Sequence, residues 1–362
     1  MALPHGGNIY HYSKKYGIPE DSIADFSASI NPLGPPEKAL VALDEAKSSL
    51  INYPDPDCKE LIGILSERLG IGTGSILIGN GSTEFIYLLP RALKLKKAVV
   101  LSPTFSDYER AALLAGYKTT RLTLSEKQGF QPDTERLMKE LKGGGLFFLC
   151  NPNNPTGVLM ERERLLDVLH YSAKIGAVVC VDEAFIEYAP GQSIIKEAVK
   201  LKNVAVLRNF TKFYGMPGIR IGYLAASPGL VRKIKAFKEP WSVNGLALKA
   251  AAAAIADEEY TRKSLELAER EKKHLLSGLS GIPCLRPFPS AANFILVKLG
   301  KGLSSNAVTE RLAARGILVR DCSSFRGLGG TFIRVAVKSR RENRMLLEAL
   351  QAFTSSFGCD RF

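Results

Sequence analysis

Short apolar runs recur along this chain, each set beside a stretch of helical pattern. Ser75–Ile78, Ala98–Leu101, Leu146–Cys150, Ala177–Val181, Val204–Leu207 and Gly222–Ala225 read as strands. Helical patterns run over Lys38–Leu50 and Cys58–Leu69, onward from Ser82, and over Tyr108–Ala115 and Arg162–Ile175. A strand apolar on both sides needs cover on both faces, which calls for βαβ units and a largely parallel sheet. The fold class is therefore α/β. Glu239-Pro240-Trp241 closes this region, and a helical zone follows from Leu246 to Ser277. Beyond it strand and helix alternate again, with strands at Phe294–Val297, Ile317–Val319 and Phe332–Val335 and helices at Ser305–Ala314 and Arg341–Phe353. The expected layout is an arm with part of a small domain over 1–45, a large domain over 46–245 and a small C-terminal α/β domain over 246–362.

A chain of 362 residues is long enough for two domains with a sizeable core. With 46% hydrophobic and 23% charged residues, disorder, collagen and coiled coil are poor descriptions. No run reaches the roughly 18 apolar residues of a membrane span; the longest candidate, Leu246–Ala256, contains Lys249. The first residues hold no apolar signal core, so no membrane partner and a cytoplasmic location are expected. The net charge of +13 favours acidic partners. Without a nucleic-acid motif, and with the basic residues spread out, a phosphorylated metabolite is expected and nucleic acid is not. Cys58, Cys150, Cys180, Cys284, Cys322 and Cys359 are widely spaced and read as reduced structural thiols. The four histidines offer no ligand spacing with acidic neighbours, so no metal site is expected.

Four segments carry chemistry. Gly79-Asn80-Gly81-Ser82-Thr83-Glu84 sits between a strand and a helix, where free N–H groups suit a phosphate. The same residues would also make a plain turn with a Ser/Thr cap and a capping-box glutamate. Asn151-Pro152-Asn153-Asn154-Pro155-Thr156-Gly157 is a stiff polar loop at a strand's C-terminal end, the edge where open α/β sheets bind ligands. Asp182 ends the apolar run Cys180-Val181 and serves either as a helix cap or as a functional carboxylate. Lys212 follows a strand among Phe210, Phe213 and Tyr214, with Arg220 beyond; desolvation there lowers a lysine's proton affinity and suits a Schiff-base nucleophile.

Taken in order, with Asn154 to Asp182 spanning 28 residues and Asp182 to Lys212 spanning 30, these segments resemble the fold-type I pyridoxal-phosphate enzymes, aminotransferase class I/II. The resemblance covers almost the whole chain. It implies a large, mostly parallel seven-stranded sheet domain, a smaller α/β domain, pyridoxal 5'-phosphate as cofactor, and a homodimer with shared sites. It further implies that Lys212 is the Schiff-base lysine, that Asp182 pairs with the ring nitrogen, and that Asn154 donates to the ring 3′-oxygen. Phe105, in Ser102-Pro103-Thr104-Phe105, matches the stacking aromatic. Gly81, Ser82, Thr83 and Arg220 match the phosphate site, with Tyr53 reaching the neighbouring subunit's cofactor phosphate. Arg334 matches the arginine that clamps a substrate anion. Asn209 stands where the family often has a serine; its amide can still donate to a phosphate.

Four further details are similar to the cobalamin-pathway L-threonine-O-3-phosphate decarboxylases. They are His5-Gly6-Gly7-Asn8 followed by Asp25 to Gly34, then Pro240-Trp241-Ser242-Val243-Asn244, then Phe185 where related aminotransferases carry tyrosine, and Arg320 as a second arginine. The resemblance implies a carboxy-lyase acting on a phosphorylated amino acid, with His5, Asn31, Asn154, Arg320 and Arg334 on the substrate. Histidinol-phosphate aminotransferase, which shares most of these residues, is the alternative. A regulator with an aminotransferase-like domain behind a DNA-binding module is not expected, since the arm reaches the catalytic region within about forty residues.

Overall fold

The computed structural model describes residues 5–355. Cys359 and the outer ends of the arm and of the small-domain range lie outside them. A two-residue strand β1 (Ala24–Asp25) follows the N-terminal helix Ile9–Tyr16. Seven strands then form the main sheet: β2 (Ile76–Gly79), β3 (Lys97–Ser102), β4 (Lys118–Thr123), β5 (Gly145–Cys150), β6 (Ala177–Asp182), β7 (Val204–Asn209) and β8 (Gly222–Ala226). Their order is β2-β8-β7-β6-β5-β3-β4, with β8 antiparallel to both neighbours and the pairs among β4, β3, β5, β6 and β7 parallel.

Both faces of this sheet are covered, which explains its uninterrupted apolar strands. Side chains alternate along each strand. On β5, Phe147 and Leu149 enter one core with Val179, Val181 and Val206, while Leu146, Phe148 and Cys150 enter the opposite core with Cys180 and Leu207. The five cysteines among the described residues are buried and form no disulfide.

The smaller sheet is β9 (Leu285–Pro287), β10 (Phe294–Leu299), β12 (Arg320–Asp321) and β13 (Phe332–Ala336), in the antiparallel order β12-β13-β10-β9. The arm packs beside it through a separate two-stranded sheet: β1 pairs in parallel with β11 (Ile317–Leu318), and Phe26 is buried in the same core as Ile295, Val335 and Leu350. The helical zone at 246–277 is two helices, Gly245–Ile255 and Glu258–Ser280. Asp257 caps the second by accepting from the Tyr260 N–H at 3.1 Å. The first helix, expected at the start of the small domain, packs its alanine face into the core that also holds Ala39, Leu61 and Leu65.

Strand β4 has the sequence Lys-Thr-Thr-Arg-Leu-Thr, with Leu122 as its one buried side chain. An edge strand with so little apolar content leaves no run to find. Among the described residues, no helix is long and apolar enough to cross a membrane.

Candidate active site

The functional segments leave the sheet at one edge, the C-terminal ends of the parallel strands, where ligands bind in folds of this kind. Register brings them together. Gly222, at the start of β8, is paired with Gly79 on one side and Asn209 on the other, and Cys150 is paired with Asp182.

The candidate phosphate cradle is built by the helix Ser82–Leu93. Its N-cap is Gly81 (φ 74°), so Ser82 and Thr83 sit in the first turn instead of capping it. This departs from the Ser/Thr-cap alternative. The Glu84 carboxylate instead accepts from the Asn80 N–H at 2.6 Å, tying down the turn. The first N–H groups of the helix have no intrahelical acceptor and carry the positive end of its dipole. Two glycines keep the cradle open. A Cβ on Gly81 would stand 2.7 Å from Arg220 Nη2, and one on Gly222 would stand 2.5 Å from the Ser82 nitrogen. Asn209 points into the same place, its amide 3.5 Å from Ser82 Oγ. Arg220 holds a left-handed backbone (φ 54°), an uncommon state that sites tend to conserve for a purpose.

Beside the cradle lies a cavity of about 220 Å³ whose wall includes Lys212, Asn154, Phe105, Phe185, Arg320 and Arg334, with His5 at its rim. The loops that present Phe105 and Asn154 are tied together: Thr104 Oγ1 donates to Asn153 Oδ1 at 2.7 Å, and the Asn153 amide donates to the Pro103 carbonyl at 3.0 Å. The His5 ring lies 5.7 Å from that of Phe105. Lys212 Nζ stands 6.0 Å from the centre of the Phe185 ring. Burial, with the charges of Arg334 and Arg220, lowers the Lys212 pKa to about 8. Asp182 is buried, and burial raises its pKa to about 6 against the pull of the Tyr108 hydroxyl (2.7 Å) and the Ala184 N–H (3.0 Å). A lysine able to shed its proton near neutral pH and a carboxylate kept ionised by two donors suit acid–base work at one centre.

Arg320 and Arg334 are directly opposite each other on the paired strands β12 and β13. Arg334 donates through Nη1 to Asn154 Oδ1 and through Nη2 to the Ser27 carbonyl at 2.8 Å, while its buried Nε has no protein partner. Burial lowers its pKa to about 10, and the neighbouring Arg320 pulls the same way. Arg320 donates to Ser324 Oγ at 2.7 Å and lies over the Phe325 ring.

Two of the expected site residues stand apart from the cavity. Asn31 turns away from it: its amide lies 2.8 Å from the Phe213 carbonyl and from Ser264 Oγ and 3.0 Å from the Tyr260 hydroxyl, and its Oδ1 accepts from the Leu33 N–H. With both ends of the side chain engaged and the residue buried, Asn31 has nothing left for a substrate. It acts as a strut, its N–H holding the Lys212 carbonyl at 3.0 Å. Tyr53 is 82% exposed and packs on Trp241, ring centres 5.1 Å apart, in a separate surface hollow of about 670 Å³. Sequence reasoning missed Tyr108, in the helix that starts just after Phe105, Ser27, which lay within the Asp25 to Gly34 segment without a role of its own, and Ser324 and Phe325, which carried no motif.

Residues 21–350 match the family described as aminotransferase class I and II. The chain is 40% identical over 353 residues to a protein of Caldanaerobacter subterraneus subsp. tengcongensis assigned as a threonine-phosphate decarboxylase, covering 96% of this chain and 93% of that one. It is 34% identical to the threonine-phosphate decarboxylase of Salmonella typhimurium (96% and 95% covered) and 33% identical to the histidinol-phosphate aminotransferase of Methanothermobacter thermautotrophicus (95% and 92%). Among solved structures, the histidinol-phosphate aminotransferase from Clostridium acetobutylicum superposes with a TM-score of 0.87 at 31% identity, over 92% of this chain and all of that one. The L-threonine-O-3-phosphate decarboxylase from Porphyromonas gingivalis gives 0.83 at 26% identity, again over 92% and 100%. By the extent of these matches, and by a strand order and site built as described, the chain belongs to the aminotransferase class I and II family.

Proposed function

We propose that this chain is a pyridoxal-phosphate-dependent carboxy-lyase of cobalamin (corrinoid) biosynthesis. It converts L-threonine O-3-phosphate to (R)-1-amino-2-propanol O-2-phosphate and CO₂. The observation that carries this reading is the pairing of Arg320 with Arg334. Like charges directly opposite on neighbouring strands repel, and burial sharpens the cost. Two such cations facing one cavity, with His5 also in its lining, suit a doubly charged anion such as a phosphate monoester.

The residues present fit the cofactor. A cradle that a Cβ would obstruct, lined by Gly81, Ser82, Thr83, Asn209 and Arg220, matches its phosphate. Asp182 suits the ring nitrogen, Asn154 the 3′-oxygen, Phe105 the ring face and Lys212 the aldehyde carbon. Bound there, the cofactor supplies an electron sink. The chain's own residues do the rest. Arg320, Arg334 and His5 hold the substrate's anions and so decide which bond at Cα is placed to break. When these groups take the phosphate, the carboxylate is left free to depart as CO₂. Lys212, with its lowered proton affinity, gives a proton from Nζ to Cα in its place. Phe185 brings no hydroxyl to the wall beside Lys212 and packs edge-on against Phe294. The enzyme works in the cytoplasm as a homodimer in which Tyr53 serves the neighbouring site.

The test is a product assay. Purified protein loaded with pyridoxal phosphate is given L-threonine O-3-phosphate without a keto acid, and the amine is followed by mass spectrometry. Turnover to aminopropanol phosphate with CO₂ release is expected. No turnover, together with amino transfer from histidinol phosphate once 2-oxoglutarate is added, would make the chain a histidinol-phosphate aminotransferase.

A further inference from the structure

We propose that Glu310 is a positioning residue: it latches the N-terminal helix and so holds His5 in the cavity, setting the enzyme's grip on phosphorylated substrates. The inference rests on the function proposed above.

The helix Ile9–Tyr16 has no buried residue, so no apolar face anchors it. Polar contacts secure it at two places. The inner one is a clasp on Ser27. Gly6 passes so close that a Cβ there would stand 2.3 Å from the Ser27 carbonyl oxygen. The Gly7 N–H donates to Ser27 Oγ at 2.8 Å, and that hydroxyl donates to Asp25 Oδ1 at 2.6 Å. The Ser27 carbonyl is also the acceptor for Arg334, so His5 and Arg334 are placed from one residue. The outer contact lies at the far end of the helix. Lys15 Nζ reaches Glu310 Oε2 at 2.5 Å, and the Tyr16 hydroxyl donates to the same oxygen.

The two contacts share a purpose. Between them lies a cleft of about 320 Å³ lined by His11, Lys15, Thr309 and Glu310. It adjoins the candidate active-site cavity, with His5, Gly6, Ser27 and Arg320 lining both. The helix is the wall of this cleft, and Glu310 is what fastens that wall. Lys15 and Glu310 are each about two-fifths exposed, so their pairing is worth a small factor and is open to exchange with water. A neutral tyrosine donating to a carboxylate adds a charge-assisted bond. Cutting the latch leaves the chain from His5 to Tyr16 held mainly by the clasp. Local opening of such a segment needs little free energy. The groups on the large sheet, Lys212, Asp182 and the phosphate cradle, do not touch this latch, so the chemical step itself is insulated from it.

The experiment compares wild type with Glu310→Ala, Glu310→Gln and, at the other end of the arm, Gly6→Ala, all loaded with pyridoxal phosphate. Hydrogen exchange is read over residues 5–17 without substrate. Glu310→Ala is expected to speed exchange there about three- to tenfold, with the Gln variant, which keeps an acceptor for Tyr16, in between. KM for L-threonine O-3-phosphate should rise by a similar factor while kcat stays within about twofold. Binding of L-threonine, followed by absorbance, should not change. Gly6→Ala, with Glu310 intact, should likewise speed exchange over residues 5–17. Unchanged exchange in Glu310→Ala would overturn the latch, and an equal weakening of threonine and threonine phosphate would overturn its role in phosphate recognition. If wild type does not decarboxylate threonine phosphate, the proposed function fails separately. The latch is then decided by inorganic phosphate, which should protect residues 5–17 from exchange at lower concentration in wild type than in Glu310→Ala; equal concentrations would overturn it.

Discussion

At the residue scale, the candidate site holds two buried titratable groups shifted in opposite directions. Burial and two guanidinium groups depress Lys212 to about 8, which means the fold disfavours its charged form. The unfolded chain has a pKa near the ordinary 10.4, so the penalty is full below pH 8, shrinks from 8 to 10.4 and vanishes above. Lys212→Met is therefore expected to stabilise the cofactor-free protein by about 2–3 kcal/mol at pH 7. The gain should fade as pH rises through that window, as measured by denaturant unfolding. Asp182 is raised to about 6, and the Tyr108 hydroxyl is one of the donors that hold it down. Tyr108→Phe removes that donor. The acidic limb of kcat/KM against pH is expected to move up by about one unit, with a stability loss of about 1.5–3 kcal/mol. An acidic limb that stays in place would show that the hydroxyl does not tune Asp182.

At the scale of elements, the phosphate cradle is a property of a strand pairing and a helix start together. Gly81 and Gly222 face different obstacles. A methyl at Gly81 meets the far end of Arg220, a flexible side chain, but the residue also needs its positive φ. A methyl at Gly222 meets the backbone of Ser82, which opens the cradle helix, at 2.5 Å and of Arg208, in β7, at 2.7 Å, so relief needs a shift of main chain in helix or sheet. Gly81→Ala is thus expected to fold and to bind pyridoxal phosphate about tenfold or more weakly, read by absorbance titration of the cofactor-free protein. Gly222→Ala is expected to lower the melting temperature of the cofactor-free protein itself. Equal behaviour of the two variants would contradict this division.

At the scale of the whole molecule, the hollow around Tyr53 and Trp241 is flanked by exposed Leu50 (67%) and Ile51 (91%). Large apolar side chains exposed together suit a contact surface, which the proposed homodimer would cover. A symmetric dimer uses the same patch on both subunits. If Tyr53 serves the neighbouring site, Tyr53→Ala and Lys212→Ala fail in different places. Unfolding and refolding an equal mixture of the two inactive variants should restore about a quarter of wild-type activity, because half the dimers are mixed and each has one intact site. No restored activity would place Tyr53 in its own subunit's site.

Much of this was legible in the residues. Asn154 in its Asn-Pro-Thr-Gly run, Asp182 at the end of an apolar run and Lys212 after the next strand were legible as candidates through their order and spacing, each at or a few residues past a strand end. Alternating apolar runs likewise determined the class of sheet, since burial on both faces demands them. The polar edge strand β4 left no such trace, and Asp257, a cap within a run of helix formers, hid the break between two helices. Asn31 shows the sharper limit. Its motif placed it near Lys212, yet the direction of its side chain depended on Phe213, Tyr260 and Ser264, which approach only in the folded chain. The opposition of Arg320 and Arg334 arises from strand register, and the meeting of Glu310 with the arm joins residues almost 300 positions apart. Sequence by itself determined which residue types end which strands. Tertiary structure decided which of them face one another, because register and packing direction are set by contacts distant in the chain.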